Sequence, residues 1–473
     1  MLIFVQCLTM VTGIIQVMIL SRALEKQEYG TYSQGILIIS LATTFLGFGL
    51  GNAINYFYNK TEDINEKRTY VNTIFAITII IGVIGGFIII FSKDGIIDYF
   101  NNLELTGIIA YVAFRPLFAN IIALYQPLYI SNHMTKSIAT RNLLISLTQA
   151  IITGIISIYT QNISLIFTLL CFLDILQILF FSIFFSKKCF KINPLKIKIS
   201  TIKPIFVYTI PLGIAIMMGA ILKDMDKLLI AKKMSTEALA LYSNVSRPLP
   251  FTFIVGAFTM VATPIIIKLL NSGKKDEFKN VWSNYLEIGY RTTWTFCAGA
   301  IVCAPELLRF LYSDKYFDGL NIFIVYLFVE VFRFTYFGLI LTAKGRTKTI
   351  LIYSFLTMIV NFILNLILYY LLGIIGPAYA TLISIAIIGT VQLIHSSRIV
   401  EIPFLDVIRI KEMCIFILQL IFIGFICYMF KLLFRHGVDN NIVILFVKYV
   451  LFVLITVGLN IKRIKYLILE LNA

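Results

Sequence analysis

The chain is poor in charge and poorer still in tryptophan and histidine: 14% of its 473 residues are charged, two are tryptophan and three are histidine. Against this, 59% are hydrophobic, whereas an ordinary soluble domain is roughly 45 to 50% apolar and about 25% charged. A water-soluble core cannot absorb that excess. His133, His395 and His436 lie far apart, and the seven cysteines show no CxxC or Cys/His spacing. Neither a metal site nor a disulfide framework is expected, and the cysteines read as small packing residues. No phosphate-binding loop of the Gly-x4-Gly-Lys-Ser/Thr type and no nucleophile elbow occurs, so the sequence calls for no catalytic site, no enzyme activity and no cofactor.

What is present is a series of apolar runs from Leu2 to Asn460, each about 20 residues long, the length that crosses a bilayer's hydrocarbon core. The runs fall at 2–21, 31–57, 70–91, 106–130, 138–158, 162–186, 204–231, 239–268, 285–304, 319–341, 349–372, 376–395, 411–430 and 442–460. They predict an all-α polytopic membrane protein of about fourteen transmembrane helices, whose work is to move something through or across a membrane. The first run reads as a retained helix rather than a removed leader, since no small-residue cleavage site follows it. Met1 almost touches that helix, which suggests a start codon upstream.

The formal net charge of +16 raises nucleic acid as a partner, but the basic residues are scattered through short loops rather than gathered in one domain. Membrane topology explains them better. With a cytoplasmic N-terminus, the loops after even-numbered segments and the tail carry more than twice the Lys and Arg of the opposite loops. Both termini are therefore expected in the cytoplasm.

The densest basic stretch, Lys187 to Lys203, holds six lysines and marks a hinge between two similar halves. Tyr32-Ser33 aligns with Tyr242-Ser243 at an offset of 210, which also brings Arg22 onto Lys232. Asn132 to Lys136 aligns with Lys344 to Lys348 at an offset of 212. Two six-helix lobes are expected, 1–190 and 204–398, joined by a basic cytoplasmic linker at 191–203. Six is an even number, so a pseudo-two-fold along the membrane normal should relate them. Two additional helices and the tail occupy 399–473.

Here the chain resembles a known family. Ser21-Arg22-Ala23-Leu24 followed by Glu28-Tyr29-Gly30-Thr31-Tyr32-Ser33 is similar to the start of bacterial polysaccharide exporters. These include O-antigen and capsule repeat-unit flippases of the multidrug, oligosaccharidyl-lipid and polysaccharide superfamily. Further similar pieces are Pro211, Asp226-Lys227-Leu228-Leu229-Ile230, Tyr242-Ser243, Ala343-Lys344-Gly345-Arg346-Thr347-Lys348 and the segment from Gly373 to Thr381. The second segment departs from the family: Leu46-Gly47-Phe48-Gly49-Leu50-Gly51 lacks the acid that members often carry there. The resemblance implies two lobes forming a V around a central cavity and rocking between inward-open and outward-open states. It also implies a polyprenyl-diphosphate-linked oligosaccharide substrate whose lipid stays in the bilayer, and a multi-pass location in the bacterial cytoplasmic membrane. Partners would be membrane lipids and, in assembly, a polysaccharide polymerase and glycosyltransferases, with no role for nucleic acid.

Four charged side chains sit near mid-span, where an ionised group costs roughly 2.5 to 3.5 kcal/mol on insertion scales and so faces a cavity or a partner. They are Arg115, Asp174, Glu330 and Arg333. Arg115 and Arg333 suit a diphosphate headgroup, because a guanidinium binds phosphate bidentately. The structural alternative is that Glu330 neutralises Arg333 and that Arg115 pairs with Asp174 across helices. With no nucleotide site, the driving force would be an ion gradient, the membrane potential or removal of product, and Asp174 and Glu330 are the acids available for proton or sodium coupling. Lys223 and Lys227, near the outer end of the seventh segment beside Asp224 and Asp226, either snorkel to the interface or line an outer cavity. Arg247, next to Pro248 and Pro250, either anchors the interface or meets the leaving headgroup. Glu287 and Arg291 read as a surface pair. Pro116, Pro127, Pro211, Pro264 and the Gly47, Gly49, Gly51 run supply places to bend.

The reading that gathers these features is a flippase for lipid-linked repeat units working by alternating access. A cation-coupled multidrug exporter, a lipid II flippase and a non-transporting scaffold for a polysaccharide synthase are the alternatives.

Overall fold

The computed structural model describes residues 2–249, 251–272, 274–433 and 441–472; His436 and Pro250 lie outside them. The described chain is helical throughout, as a backbone without water must be, since a helix satisfies its own hydrogen bonds. In chain order the helices are α1 (Leu2–Ala23), α2 (Lys26–Gly47), α3 (Leu50–Lys60), α4 (Ile64–Phe91), α5 (Lys93–Phe100), α6 (Ile109–Ser131), α7 (Thr135–Tyr159), α8 (Ile163–Lys188), α9 (Ile199–Lys233) and α10 (Thr236–Val245). They continue as α11 (Thr252–Ser272), α12 (Lys275–Val302), α13 (Ala304–Tyr312), α14 (Leu320–Phe332), α15 (Leu339–Ala343), α16 (Thr347–Leu372), α17 (Gly376–Ile399), α18 (Phe404–Ile408), α19 (Ile410–Leu433) and α20 (Asn441–Asn472).

Each of the fourteen expected segments falls on one of these helices or on two in series. Among the described residues, ten helical stretches are long and apolar enough to cross a membrane, or eleven if α12 and α13, which meet at 84°, form one bent span. That tally takes α16 and α17 together, as one stretch from Lys348 to Ile399.

Local chemistry sets the boundaries. Asp63 caps α4 by accepting from the Asn65 N–H at 3.0 Å, and Asn162 caps α8 through the Leu165 N–H at 3.0 Å. The second expected segment breaks into α2 and α3 because Phe48 and Gly49 both take left-handed backbone, with φ of 44° and 73°. Glycine adopts that conformation without cost. The break is braced by Asn120 of α6, whose Nδ2 donates to the Thr43 carbonyl at 3.1 Å. A Cβ at Gly213 of α9 would lie 3.0 Å from the Phe48 carbonyl oxygen, so only glycine lets α9 pass this close. Of the bends expected in this region, the glycine run delivers one. Pro116 and Pro127 lie inside a continuous α6, and Pro211 inside a continuous α9.

The chain divides into two compact units at Leu241, later than the basic linker at which the duplication would divide it. The reason is α9, which packs on α2, α3, α4 and α5. The linker itself is tied to α4: the Asn193 N–H donates to Asn72 Oδ1 at 2.8 Å, and Thr201 bonds Thr73 at 3.1 Å.

In the first unit α1 lies along α7, and α6 runs between α2, α4 and α8. Gly82 and Gly86 of α4 sit against Leu117 and Phe114 of α6, the small-residue contact that lets membrane helices approach. Towards the lysine-rich end, Tyr125 stacks on Phe181 with centroids 5.3 Å apart. In the second unit α12 is central, packed by α11, α14, α19 and α20, while α16 and α17 form a long pair. Asn361 Nδ2 ties that pair by donating to Thr381 at 3.2 Å and Ser384 at 3.1 Å.

Candidate functional site

Arg115 on α6 and Asp174 on α8 face each other inside the first unit. Arg115 Nε lies 2.5 Å from Asp174 Oδ2; the carboxylate is buried and the guanidinium keeps 21% of its side chain exposed. One turn before Arg115, the Tyr111 hydroxyl is 3.5 Å from the same carboxylate oxygen. One turn after Asp174, Gln177 Nε2 donates to Oδ1 at 3.2 Å. Helical spacing therefore delivers three donors to one carboxylate from two helices.

A second guanidinium enters from α7. Arg141 Nη2 donates to Gln177 Oε1 and Nη1 donates to Asn142 Oδ1 at 2.8 Å, while the guanidinium lies 5.1 Å above the Phe181 ring. Its Nε–H is buried and has no acceptor. Arg141 stands just inside an expected span, where an arginine reads as an interface anchor, and nothing in the sequence distinguishes it from one. The cluster thus holds two cations and one anion. It lines a cleft of about 340 Å³ whose remaining polar wall comes from Thr9, Asn142, Ser146 and Gln149. A guanidinium without a carboxylate of its own, beside a polar cleft, is suited to an anionic group, phosphate above all.

The other nominated residues sit elsewhere. Glu330 and Arg333, in the second unit, pair with each other at 3.0 Å. They flank the end of α14, where the expected tenth segment is interrupted before α15 resumes. Glu330 is buried, with Oε2 lacking a donor. Lys227 pairs with Asp224 at 2.8 Å, Lys223 is exposed, and Arg247 is exposed in the turn after α10. Neither lysine lines the Arg115 cluster's cleft, and Arg247 belongs to the second unit.

Glu287 and Arg291 are buried, against the surface pairing expected of them. The reason is long-range: Glu287 takes Arg291 Nε at 2.9 Å, Arg409 Nη1 at 2.8 Å, and Arg463 through Nε and Nη2, both at 2.9 Å. Arg409 and Arg463 arrive from the α18–α19 turn and from α20, more than 100 positions away, so sequence spacing could not bring them together. A further buried pair, Lys448 with Glu306 at 3.2 Å, joins α20 to α13. It too was beyond reach from the sequence, because α13 is a short helix outside the apolar runs.

Comparison with known proteins bears on the resemblance. A capsular polysaccharide biosynthesis protein of Staphylococcus aureus, CapF, is 22% identical over 353 residues, 72% of this chain and 84% of the relative. Among solved structures, the lipid II flippase MurJ in an inward closed conformation superposes with a TM-score of 0.73 at 18% identity, covering 97% of this chain and 99% of that one. A transporter of the multidrug, oligosaccharidyl-lipid and polysaccharide superfamily from Pyrococcus furiosus, described by the reverse polarity of its binding pocket, gives 0.54 at 12% identity, covering 85% and 94%. At such identities the solved structures speak for the fold, which is the one the sequence resemblance implies. A family model described as polysaccharide biosynthesis protein matches residues 19–321, well over half of the chain. The chain therefore belongs to the polysaccharide biosynthesis protein family.

Proposed function

We propose that this protein is a flippase carrying polyprenyl-diphosphate-linked oligosaccharide repeat units across the bacterial cytoplasmic membrane, with a capsule-type polymer as the end product. The observation that carries the reading is the Arg115, Arg141 and Asp174 cluster: two guanidiniums for one carboxylate, within membrane-length helices, around an accessible polar cleft. Keeping an excess cation there is costly unless an anion uses it. The relationship to a capsular protein supports the polymer class.

Arg115 and Arg141 would hold the diphosphate while the lobes alternate their access, with both termini in the cytoplasm. Of the two acids nominated for coupling, Glu330 has the oxygen without a donor, whereas Asp174 is held by Arg115, Tyr111 and Gln177. Glu330 is therefore the better place for a proton or sodium ion. A lipid II substrate is the second reading, favoured by the extent of the likeness to MurJ.

The test is deletion of the gene with analysis of surface polymer and membrane-extracted glycolipids. Repeat units stranded on polyprenyl diphosphate at the cytoplasmic face, with the polymer lost, are expected. Stranded lipid II with normal polymer would select the second reading, and unaltered glycolipids would refute both.

A further inference from the structure

A second cavity lies on the other side of Arg141. It is a slot of about 500 Å³ between α7 and α8, and it shares Arg141, Ile145 and Gln177 with the polar cleft. The two spaces therefore meet at the Arg141–Gln177 hydrogen bond. The slot's α7 wall runs from Lys136 through Thr140 to Leu144, and its α8 wall carries Leu173, Leu176 and Phe180. At 1.5 Å per residue these walls extend roughly 12 to 17 Å, about half of a hydrocarbon core. Leu144 is 57% exposed, Leu176 45% and Phe180 57%, so the slot opens outward on the lipid-facing side of the bundle.

We propose that this slot seats the isoprenoid chain of the substrate, and that lipid-linked substrate enters the first unit sideways between α7 and α8, parting the Arg141–Gln177 contact. The assignment rests on the flippase reading and adds to it the route and the seat of the lipid.

Charge and polarity select this occupant. The slot is apolar along its length and carries cations at two points, Lys136 near the start of α7 and Arg141 where it meets the cleft. A lipid lying in it places its chain against leucine and phenylalanine. Its diphosphate then reaches Arg141, which lines both spaces, with Arg115 on the far side of the seam. A phospholipid brings a single phosphate, whereas the two cations suit a diphosphate. Glycan attached to the diphosphate would project into the polar cleft beside Asn142 and Gln149. Gln177 acts here as a positioning residue, holding Arg141 at the seam between the two spaces.

The experiment uses the full-length protein in vesicles of neutral phosphatidylcholine and an isoprenyl diphosphate with a photoactivatable diazirine on its chain. Cross-links are expected on 136–145 and 173–184. Unlabelled isoprenyl diphosphate should compete at least about tenfold better than the isoprenyl alcohol or an equal amount of phosphatidylglycerol. Leu176→Trp, which fills the slot, should abolish the cross-links, and Arg141→Gln should erase the advantage of diphosphate over alcohol.

Because the cross-link map is read on the wild type, it stands even where a variant folds poorly. Label on other helices, or equal competition by phosphatidylglycerol, would overturn the slot. If wild-type vesicles still flip an isoprenyl-diphosphate oligosaccharide in that case, the flippase reading survives. If they neither bind nor flip it, both fall.

Discussion

The two units each bury arginines beside carboxylates, but they finish them differently. Around Glu287, three guanidiniums close on one acid with four contacts of 2.8 to 2.9 Å, and Glu287 and Arg291 are almost fully enclosed. Around Asp174, one guanidinium pairs, a second stops at Gln177 with an N–H left over, and the group borders an open cleft. Buried charge of the first kind is spent on joining α12 to α19 and α20. Charge of the second kind is left available. Saturation, rather than the presence of charge, separates a clasp from a binding site, because an arginine whose donors are all engaged has nothing to offer a ligand.

That contrast is broken most severely at Glu287. Glu287→Ala takes the shared carboxylate from buried Arg291 and from the half-buried Arg409 and Arg463, and should cost about 3 to 5 kcal/mol, read as loss of monodisperse protein after detergent extraction and a collapse of the thermal midpoint.

Arg115→Met should cost less, about 2 to 3 kcal/mol, because Tyr111 and Gln177 still donate to Asp174. The double variant Arg115→Met/Asp174→Leu removes the pair together. Its stability should return to within about 1 kcal/mol of wild type in a double-mutant cycle. If the pair only held the lobe together, that recovery would restore transport as well.

Arg333→Ala is milder, since this guanidinium is 36% exposed. Because the substitution leaves the buried Glu330 without its partner, a stability loss of about 1 to 2 kcal/mol is expected, and a larger loss would place the Glu330 pair with the clasps.

At the surface, Lys275→Ala should lower the thermal midpoint only slightly at neutral pH. Glu401 is held below the ordinary carboxylate range by its hydrogen bond from Lys275. A depressed pKa stabilises the fold above the ordinary range and loses that contribution as pH falls through the folded value. Any difference between wild type and Lys275→Ala should therefore shrink in acid.

How much of this was legible depended on distance along the chain. Apolar runs alone placed the helices, because membrane burial leaves few other arrangements for a backbone. The Glu330 and Arg333 pair followed from helical spacing. Arg115 with Asp174 could be posed as a pairing because both stood isolated at mid-span. Arg141 could not, since its depth near a span end looked unexceptional. The Glu287 hub was invisible because Arg409 and Arg463 reach it only through the docking of α19 and α20. The breaks at Phe48 and after Phe332 lie inside runs that hydropathy reads as continuous. Of the two, only the first had a local signal, in its glycines.

The most direct test of the account is translocation of an isoprenyl-diphosphate oligosaccharide by purified protein in proteoliposomes, comparing wild type with Arg115→Met/Asp174→Leu at matched folded amounts. The account predicts a stable variant whose transport falls by about tenfold or more, the loss of a charge-assisted phosphate contact. Wild-type transport by that variant would contradict it, and would return Arg115 and Asp174 to the same structural role as Glu287.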